Sequence, residues 1–355
     1  MVLTVVREVG PELWALAARP HLVLPCACDP AGLLGPTRAE VRGPHWRTAS
    51  RGRFVPASVE LTTEQRILEA ACLLPAYGGV TGWAALNWQG ATRWFGGTMP
   101  SGTERPVCLA TGGDDIRPQR GVQVSAERLD PRDLRVVDGI RLTSEVRSTC
   151  FEMRYARDER QAAVVLSMAA YHDVVSVDQL SEYAARHSGW TGIPRCRGGI
   201  LLAEENCWSP PEVEMVITWR IDAELPRPLC NRPLFDRAGN HIGTPDLLDV
   251  EAGVVGQYEG SLHLLGAQRD VDVEAEETYR RLGLECFTMR SSDRHHPQRM
   301  AERMLAARGR ARWDAETRRA WTVEYPSWWI PTHTVELRRQ LTEEQRRRLL
   351  RYRAA

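Results

Sequence analysis

Lysine is absent from this 355-residue chain, in which arginine supplies all 46 basic residues against 46 acidic ones. The absence excludes a lysine from every catalytic role. The equal charges leave no global positive field, so any site for nucleic acid has to be a local cluster.

Apolar runs and paired cysteines are also scarce. The first residues include Arg7, Glu8 and Glu12 and do not build the apolar stretch of a signal peptide or membrane span. The nine cysteines are odd in number and scattered, and the one close pair, Cys26 and Cys28, has no second pair at zinc-ligand spacing. We therefore expect a cytoplasmic protein in a reducing compartment, without a membrane partner.

The length predicts several domains, because one hydrophobic core rarely grows to this size. Shifts in pattern divide the chain into an N-terminal region over 1–104, a mixed middle domain over 105–205, a third domain over 206–312 and a Trp/Arg-rich tail over 313–355. The expected fold class is multidomain α/β and α+β.

The N-terminal region has the order of a winged helix. A helical pattern over Leu33–Val41 precedes two short strands around the turn Ser50–Gly52, and Thr62 with Gln65 predicts the capped start of a further helix. Five arginines in this region bind nucleic-acid phosphates in one interpretation and form a solvated surface in the other: Arg38, Arg42, Arg47, Arg51 and Arg53.

The middle domain begins with strands and continues with helices. Ser176 and Gln179 predict a capping box, whereas the glycines between Gly189 and Gly199 favour a linker or a broken helix. Trp83, Leu86 and Trp88, just before this domain, are expected in the core.

The segments WRTASRGRFVPA, VTGWAALNWQGA and LTSEVRSTCFEM resemble the N-terminal and middle parts of AbiEi-type antitoxins of type IV toxin–antitoxin systems. The resemblance implies DNA binding and a cognate toxin as partner. The last segment carries Glu152 where the family usually has aspartate.

A helix start at Ser209 is followed by three strand patterns, a helix, the strand LECFTMR and a last helix. This αβββαβ order resembles the restriction-endonuclease-like core of PD-(D/E)XK nucleases. The relatives in question are the very-short-patch-repair-like domains that accompany AbiEi regions in actinobacterial proteins, which implies metal-dependent DNA cleavage in defence or repair.

Three residues of adjacent strands are the expected ligands of Mg²⁺ or Mn²⁺: Asp246, Gln257 and Glu259. Positions 257 and 259 commonly read Glu-x-Asp in the family, so Gln257 removes one negative charge from the site. The full predicted catalytic set is Glu212, Asp246, Gln257, Glu259 and His263.

Several roles stay open at this stage. Glu212 either completes the helix cap or supports the metal, and Glu259, His263 or Arg269 is left to orient the attacking water. The tail arginines Arg346, Arg347 and Arg348 face either solvent or DNA, while the tail tryptophans are expected to dock onto the body. The chain is therefore interpreted as a metal-dependent DNA endonuclease or, alternatively, as a non-catalytic DNA-binding antitoxin or repressor with a degenerate nuclease fold.

Overall fold

The chain divides into two units, Met1–Glu152 and Met153–Ala355. A computed structural model describes residues 18–99, 101–117, 119–260 and 275–354. Both units combine helices with small sheets, which confirms the expected mixed, multidomain class. In the described ranges, no helix has the length and apolar character needed to cross a membrane.

The first unit begins with the predicted hairpin, in which β1 (Trp46–Ser50) pairs antiparallel with β2 (Arg53–Pro56). Helix α1 (Thr63–Ala71) then starts at Thr62, whose side chain accepts the N–H of Gln65 as predicted. The Gln65 amide bonds the backbone of Val23 at 2.8 and 3.0 Å, so the reciprocal half of the capping box is replaced by a tertiary contact.

The helix predicted over Leu33–Val41 is wrong. Turns occupy most of this stretch, and only the 3-10 turn Glu40–Arg42 is helical. The Asp29 carboxylate accepts three backbone N–H groups at 2.8 to 3.0 Å, those of Ala31, Leu33 and Leu34. A side chain that satisfies these donors in a turn competes with the helix, and Pro36 follows at once.

A five-stranded sheet forms the centre of the first unit. Its strands are β3 (Gly79–Thr81), β4 (Val107–Ala110), β5 (Val122–Ser125), β6 (Leu134–Val137) and β7 (Ile140–Thr143), in the order β5-β4-β3-β7-β6. β3 pairs with β4 and with β7, so the sheet crosses the boundary predicted near residue 104. Helices α1 and α2 (Gly82–Trp88) both pack on this sheet, and Trp83, Leu86 and Trp88 of α2 are buried, as expected of core residues.

Glu152, on α3 (Glu145–Arg154), connects that helix to the start of α2. Its carboxylate accepts the N–H of Trp83 at 2.8 Å and pairs with Arg105 at 2.6 Å. Glu152 therefore caps a buried helix.

The second unit opens with α4 (Glu159–Tyr171), α5 (Val177–Arg186) and α6 (Ile193–Leu202). Both bonds of the predicted Ser176–Gln179 capping box are present. Part of the glycine-rich stretch forms α6, contrary to a linker, because it packs closely on α4. A Cβ on Gly199 would lie 2.6 Å from the Ala162 Cβ, so a residue without a side chain is required there.

Helix α7 (Pro210–Ile217) and a π-helical turn, Thr218–Asp222, precede the remaining strands. These are β8 (Leu229–Cys230), β9 (Leu234–Asp236), β10 (His241–Gly243), β11 (Leu247–Asp249), β12 (Val254–Glu259), β13 (Glu285–Arg290) and β14 (Trp321–Thr322). Helix α8 is described over 275–281, and α9 (Pro297–Arg310) follows β13.

These strands form two sheets rather than one meander. The larger has the order β13-β12-β11-β8, antiparallel except for the parallel pair β12 and β13, and the smaller has the order β10-β9-β14. The predicted strand PLCNRPLF splits into β8 and β9 around Asn231, which has a φ of 43°, and HIGTPDLLDV splits into β10 and β11 around Pro245.

The C-terminal segment contains α10 (Val335–Arg339) and α11 (Glu343–Leu349), and α11 has the predicted Thr342–Gln345 capping box. Trp321 is buried in the core beside β11 and β12, which confirms docking for this tryptophan. Trp329 stacks on His241 at 5.1 Å, whereas Trp328 is 58 % exposed.

Candidate functional site

Asp246 lies directly before β11 and is held by contacts with β12 and with the bend after β8. Its Oδ2 accepts the backbone N–H of Tyr258 on β12 at 2.7 Å, and its carbonyl accepts the N–H of Asn231 at 3.2 Å. Pro245 before it is buried and cannot donate a backbone hydrogen bond, so the strand enters the sheet only at Leu247. The carboxylate is therefore fixed at the edge of β12 by main-chain contacts.

Gln257 and Glu259 share one face of β12. In the antiparallel register Leu247 pairs with Gly256, and one step outward Asp246 comes opposite Gln257. Residues two apart on a strand point to the same side, which adds Glu259 to this face. The structure thus brings the three predicted metal ligands to one end of one sheet face.

This face of the sheet packs on the hydrophobic core, because Leu248 and Val255, which lie on it, belong to the cluster that contains Tyr279 and Trp321. Burial, and next the negative charge of Asp246, raise the pKa of Tyr279 above its ordinary value. The half-buried Asp246 is therefore close enough to Tyr279 of α8 for its charge to act on the phenol.

Glu259 is paired with Arg290. The Arg290 Nε donates to Glu259 Oε2 at 3.0 Å, across the parallel pair in which these two residues are register partners. The guanidinium is 70 % exposed and the carboxylate 27 % exposed, so the pair lies at the solvent edge of the site. This arginine was not anticipated from the sequence.

Glu212 performs the capping role that was one of its two expected functions. Its carboxylate accepts the Ser209 hydroxyl at 2.8 Å, the Trp208 N–H at 2.7 Å and the Asn231 side-chain amide at 2.7 Å. In a complete capping box the Glu212 carboxylate would accept the N–H of Ser209, whereas here it accepts the N–H of Trp208. Asn231 connects Glu212 to Asp246, because its side-chain amide bonds the Glu212 carboxylate and its backbone N–H bonds the Asp246 carbonyl.

Asp249 belongs to the opposite face, in agreement with its odd spacing from Asp246. Its carboxylate pairs with Arg308 at 2.8 Å and accepts the N–H of Glu251 at 3.0 Å in the turn before β12. It is 4 % exposed and has a structural role.

His263 lies outside the described residues, together with Arg269. Across the described ranges, no group of three or more His, Cys, Asp or Glu side chains is arranged to hold a metal ion. The candidate ligand set consists of two carboxylates and the Gln257 amide oxygen, which is a set of hard oxygen donors.

The arginines predicted to bind nucleic acid differ in how they are used. Arg38, Arg42, Arg51 and Arg53 are exposed, whereas Arg47 makes two bonds to Glu69 at 2.7 and 2.9 Å. In the tail, Arg347 and Arg348 are exposed, but Arg346 bonds Asp173 at 3.2 Å and the Arg338 carbonyl at 2.7 Å. The geometry leaves the exposed residues accessible to a phosphate and engages Arg47 and Arg346 within the protein.

No family model, curated protein or solved structure matches this chain. The functional assignment therefore depends on the residues of the site.

Proposed function

We propose that the domain over 206–312 hydrolyses phosphodiester bonds of DNA with the help of a divalent cation held by Asp246. The observation that carries this proposal is the convergence of Asp246, Gln257 and Glu259 at one end of the face formed by β11 and β12. The order α7, β8, β11, β12, α8 and β13 also agrees with the αβββαβ core of the nucleases that the sequence resembles.

The ligand set fits Mg²⁺ or Mn²⁺ completed by the substrate. Magnesium in phosphoryl-transfer sites is usually bound by one or two carboxylates, with substrate phosphates and water as the other ligands. Asp246 and Glu259 supply the carboxylates, and the Gln257 carbonyl can supply a neutral oxygen. Such a cation lowers the pKa of the attacking water and offsets charge on the phosphate. Manganese should support more activity than magnesium, because it accepts less regular ligand geometry.

Arg290 and Glu259 would act together in the water-activating step. An exposed ion pair contributes at most about 1 kcal/mol, whereas a guanidinium forms stronger, bidentate contacts to phosphate. An arriving phosphate would therefore compete for Arg290, and the released Glu259 carboxylate would bind the cation through one oxygen and orient the attacking water through the other. Arg290 would take over the electrostatic role for which this chain has no lysine.

The β1–β2 hairpin is the part of the N-terminal region that we assign to DNA backbone contact, in the manner of the wing of a winged helix. Its turn presents Arg51 and Arg53 as exposed residues, and Arg38 and Arg42 are exposed nearby in sequence. Exposed arginines are suited to phosphates because their guanidinium groups need not leave an internal partner.

A second candidate function is non-catalytic DNA binding by an antitoxin-like repressor, with a toxin as its partner. Two observations favour it: Gln257 lowers the negative charge of the site, and Arg290 neutralises Glu259.

Plasmid nicking separates the two functions. We expect cleavage by the wild type in Mn²⁺, and a loss of at least about 100-fold in Asp246→Ala, the upper end for removal of a group that merely supports a metal ligand. Glu302→Ala, an exposed change on α9, is the matched control and should retain full activity. Undiminished cleavage by Asp246→Ala would place the active site elsewhere, and no cleavage by any preparation would favour the repressor.

A further inference from the structure

A cavity of about 500 Å³ lies between β13 and α9, on the outer edge of the larger sheet. Four arginines line it: Arg290, Arg299, Arg303 and Arg310. Arg299, Arg303 and Arg310 are four and seven residues apart on α9, a spacing that places them along one side of a helix. Arg290 comes from the end of β13, so the strand and the helix each contribute positive charge to one space.

Arg303 is held in place as part of the wall. Its Nη1 donates to the Asp293 carboxylate at 2.9 Å and to the carbonyl of Thr288 at 2.8 Å. The second contact occupies a main-chain acceptor on β13, which is the edge strand of its sheet. The cavity therefore has one fixed guanidinium between β13 and α9.

The other three arginines are available to a ligand: two can exchange exposed partners, and Arg299 forms no ion pair in the described part of the chain. Arg290 pairs with Glu259 at 3.0 Å and Arg310 with Glu285 at 2.6 Å, and these guanidinium groups are 70 % and 58 % exposed. Pairs at this exposure contribute little, since water screens them and two side chains lose freedom. Arg299 is exposed and forms no ion pair with any residue in the described part of the chain.

The charge count favours an anion. Among the described residues, the lining contains four arginines and two acids, Glu276 and Asp293, a net charge of +2. When the outer partners Glu259, Glu285 and Arg280 are added, five arginines face four acids and the sum is +1. The excess charge corresponds to Arg299.

We infer that this cavity binds phosphate groups of a nucleic-acid strand next to the candidate cleavage site. The volume is in the range of small-ligand pockets, which usually have mostly apolar walls, but here Cys286 and Phe287 are the apolar members of a described lining that is otherwise charged or polar. Guanidinium groups match phosphate oxygens in geometry, and an extended strand can use several of them in succession. Arg290 belongs to both sites, so the inference rests on the proposed function for the direction in which the strand runs, although not for binding itself.

The test measures binding without cleavage. Anisotropy of a short labelled oligonucleotide is followed in EDTA over a series of salt concentrations, for wild type, Arg299→Ala and Arg318→Ala. Arg318 is the matched control, because it is exposed, forms no ion pair within the described ranges and does not line the cavity. Inorganic phosphate and a mononucleotide serve as competitors.

Arg299→Ala should weaken oligonucleotide binding by about tenfold, as expected for one charge-assisted contact. It should also reduce the slope of log K against log salt by about 0.7 to 0.9. Equal losses in Arg299→Ala and Arg318→Ala, or none in either, would overturn the inference. Tight mononucleotide binding that Arg299→Ala abolishes, with oligonucleotide binding unchanged, would overturn the assignment to a strand. A protein that binds in this way but never cuts DNA would contradict the proposed hydrolysis and leave the binding site established.

Discussion

Gln257 determines how strongly the candidate site can hold a cation. It faces Asp246 across the pair of β11 and β12, where an acid would bring a second full negative charge beside the first. Cation affinity in oxygen-ligand sites rises with the number of charged ligands. A neutral amide at this point therefore makes binding depend on the substrate phosphate.

Gln257→Glu should raise the affinity for Mg²⁺ and Mn²⁺ in the absence of DNA and increase plasmid nicking. The two side chains have matched size, and position 257 is half-buried rather than fully enclosed, so the change should disturb packing little. Calorimetric titration of the metal and a nicking assay, run on both proteins, provide the measurement.

Other results would have distinct meanings. Tighter metal binding without cleavage would support the repressor, because the water-activating group would be missing. Equal or lower cleavage would show that Glu259 already completes a working site and that the new charge competes with it. A variant identical to wild type in both assays would remove position 257 from the site.

At the residue scale, the sequence predicted which side chains meet but not all that they contact. Asp246 with Gln257 and Glu259 follows from the two-residue period of a strand and from adjacent strands in the chain. The Glu259–Arg290 pair depends on the parallel register of β12 with β13, across an intervening helix, and no local pattern encodes that register. Glu212 shows the opposite case, since its capping role is local and one of the two predicted options.

Helix starts were the most predictable elements. Ser176 with Gln179 and Thr342 with Gln345 form complete capping boxes. Their bonds join residues only three positions apart, so the local sequence is enough to predict them. Strand limits were less predictable. β8 and β9 read as one strand, yet the chain changes sheets at Asn231, whose amide bonds Glu212 on α7. That bend is fixed by tertiary contacts and not by the alternation of apolar residues.

Gly199 tests the close packing of α6 on α4. Gly199→Ala would place a methyl group 2.6 Å from the Ala162 Cβ, and overpacking of this kind costs about 1 to 3 kcal/mol. The helix propensity of alanine returns up to about 1 kcal/mol. We expect a net loss in the free energy of unfolding, measured by urea denaturation of the purified chain.

Gly309→Ala is the matched control for this packing argument. Gly309 lies in α9, and a Cβ built there meets no atom within 4 Å. The same substitution should therefore be neutral or stabilising at this position. If both variants lose stability equally, the effect belongs to glycine in helices generally and not to the contact between α4 and α6.

Arginines have two roles in this molecule: some form ion pairs within the protein, and others are exposed at its surface. In the second unit, Asp173 at the end of α4 pairs with three arginines of the C-terminal segment, Arg338 at 2.6 Å, Arg353 at 2.7 Å and Arg346 at 3.2 Å. Arg338 is only 1 % exposed, so the segment is anchored to the helices by buried charge. The arginine run by itself does not distinguish these anchors from the exposed Arg347 and Arg348.

Asp173→Asn should destabilise the second unit by about 3 to 5 kcal/mol near neutral pH, the cost of leaving buried charges without their partner. Asparagine tolerates the left-handed backbone of this position, where φ is 59°, so the variant removes the charge alone.

Burial by itself would raise the pKa of Asp173, but the bonds and charges of Arg353 and Arg338 outweigh it and lower the pKa. A lowered folded-state pKa contributes stability above the unfolded value of about 3.9, and the contribution is lost as pH falls through the folded pKa. The difference in the free energy of unfolding between wild type and Asp173→Asn, measured by urea denaturation, should therefore be constant above about pH 5 and should narrow below about pH 4.

Asp138→Asn is the control. Asp138 has a similar φ of 45°, but it is 32 % exposed and pairs with Arg19, so its substitution should cost no more than about 1 kcal/mol. An equally small cost for Asp173→Asn would show that the three arginines do not anchor the C-terminal segment.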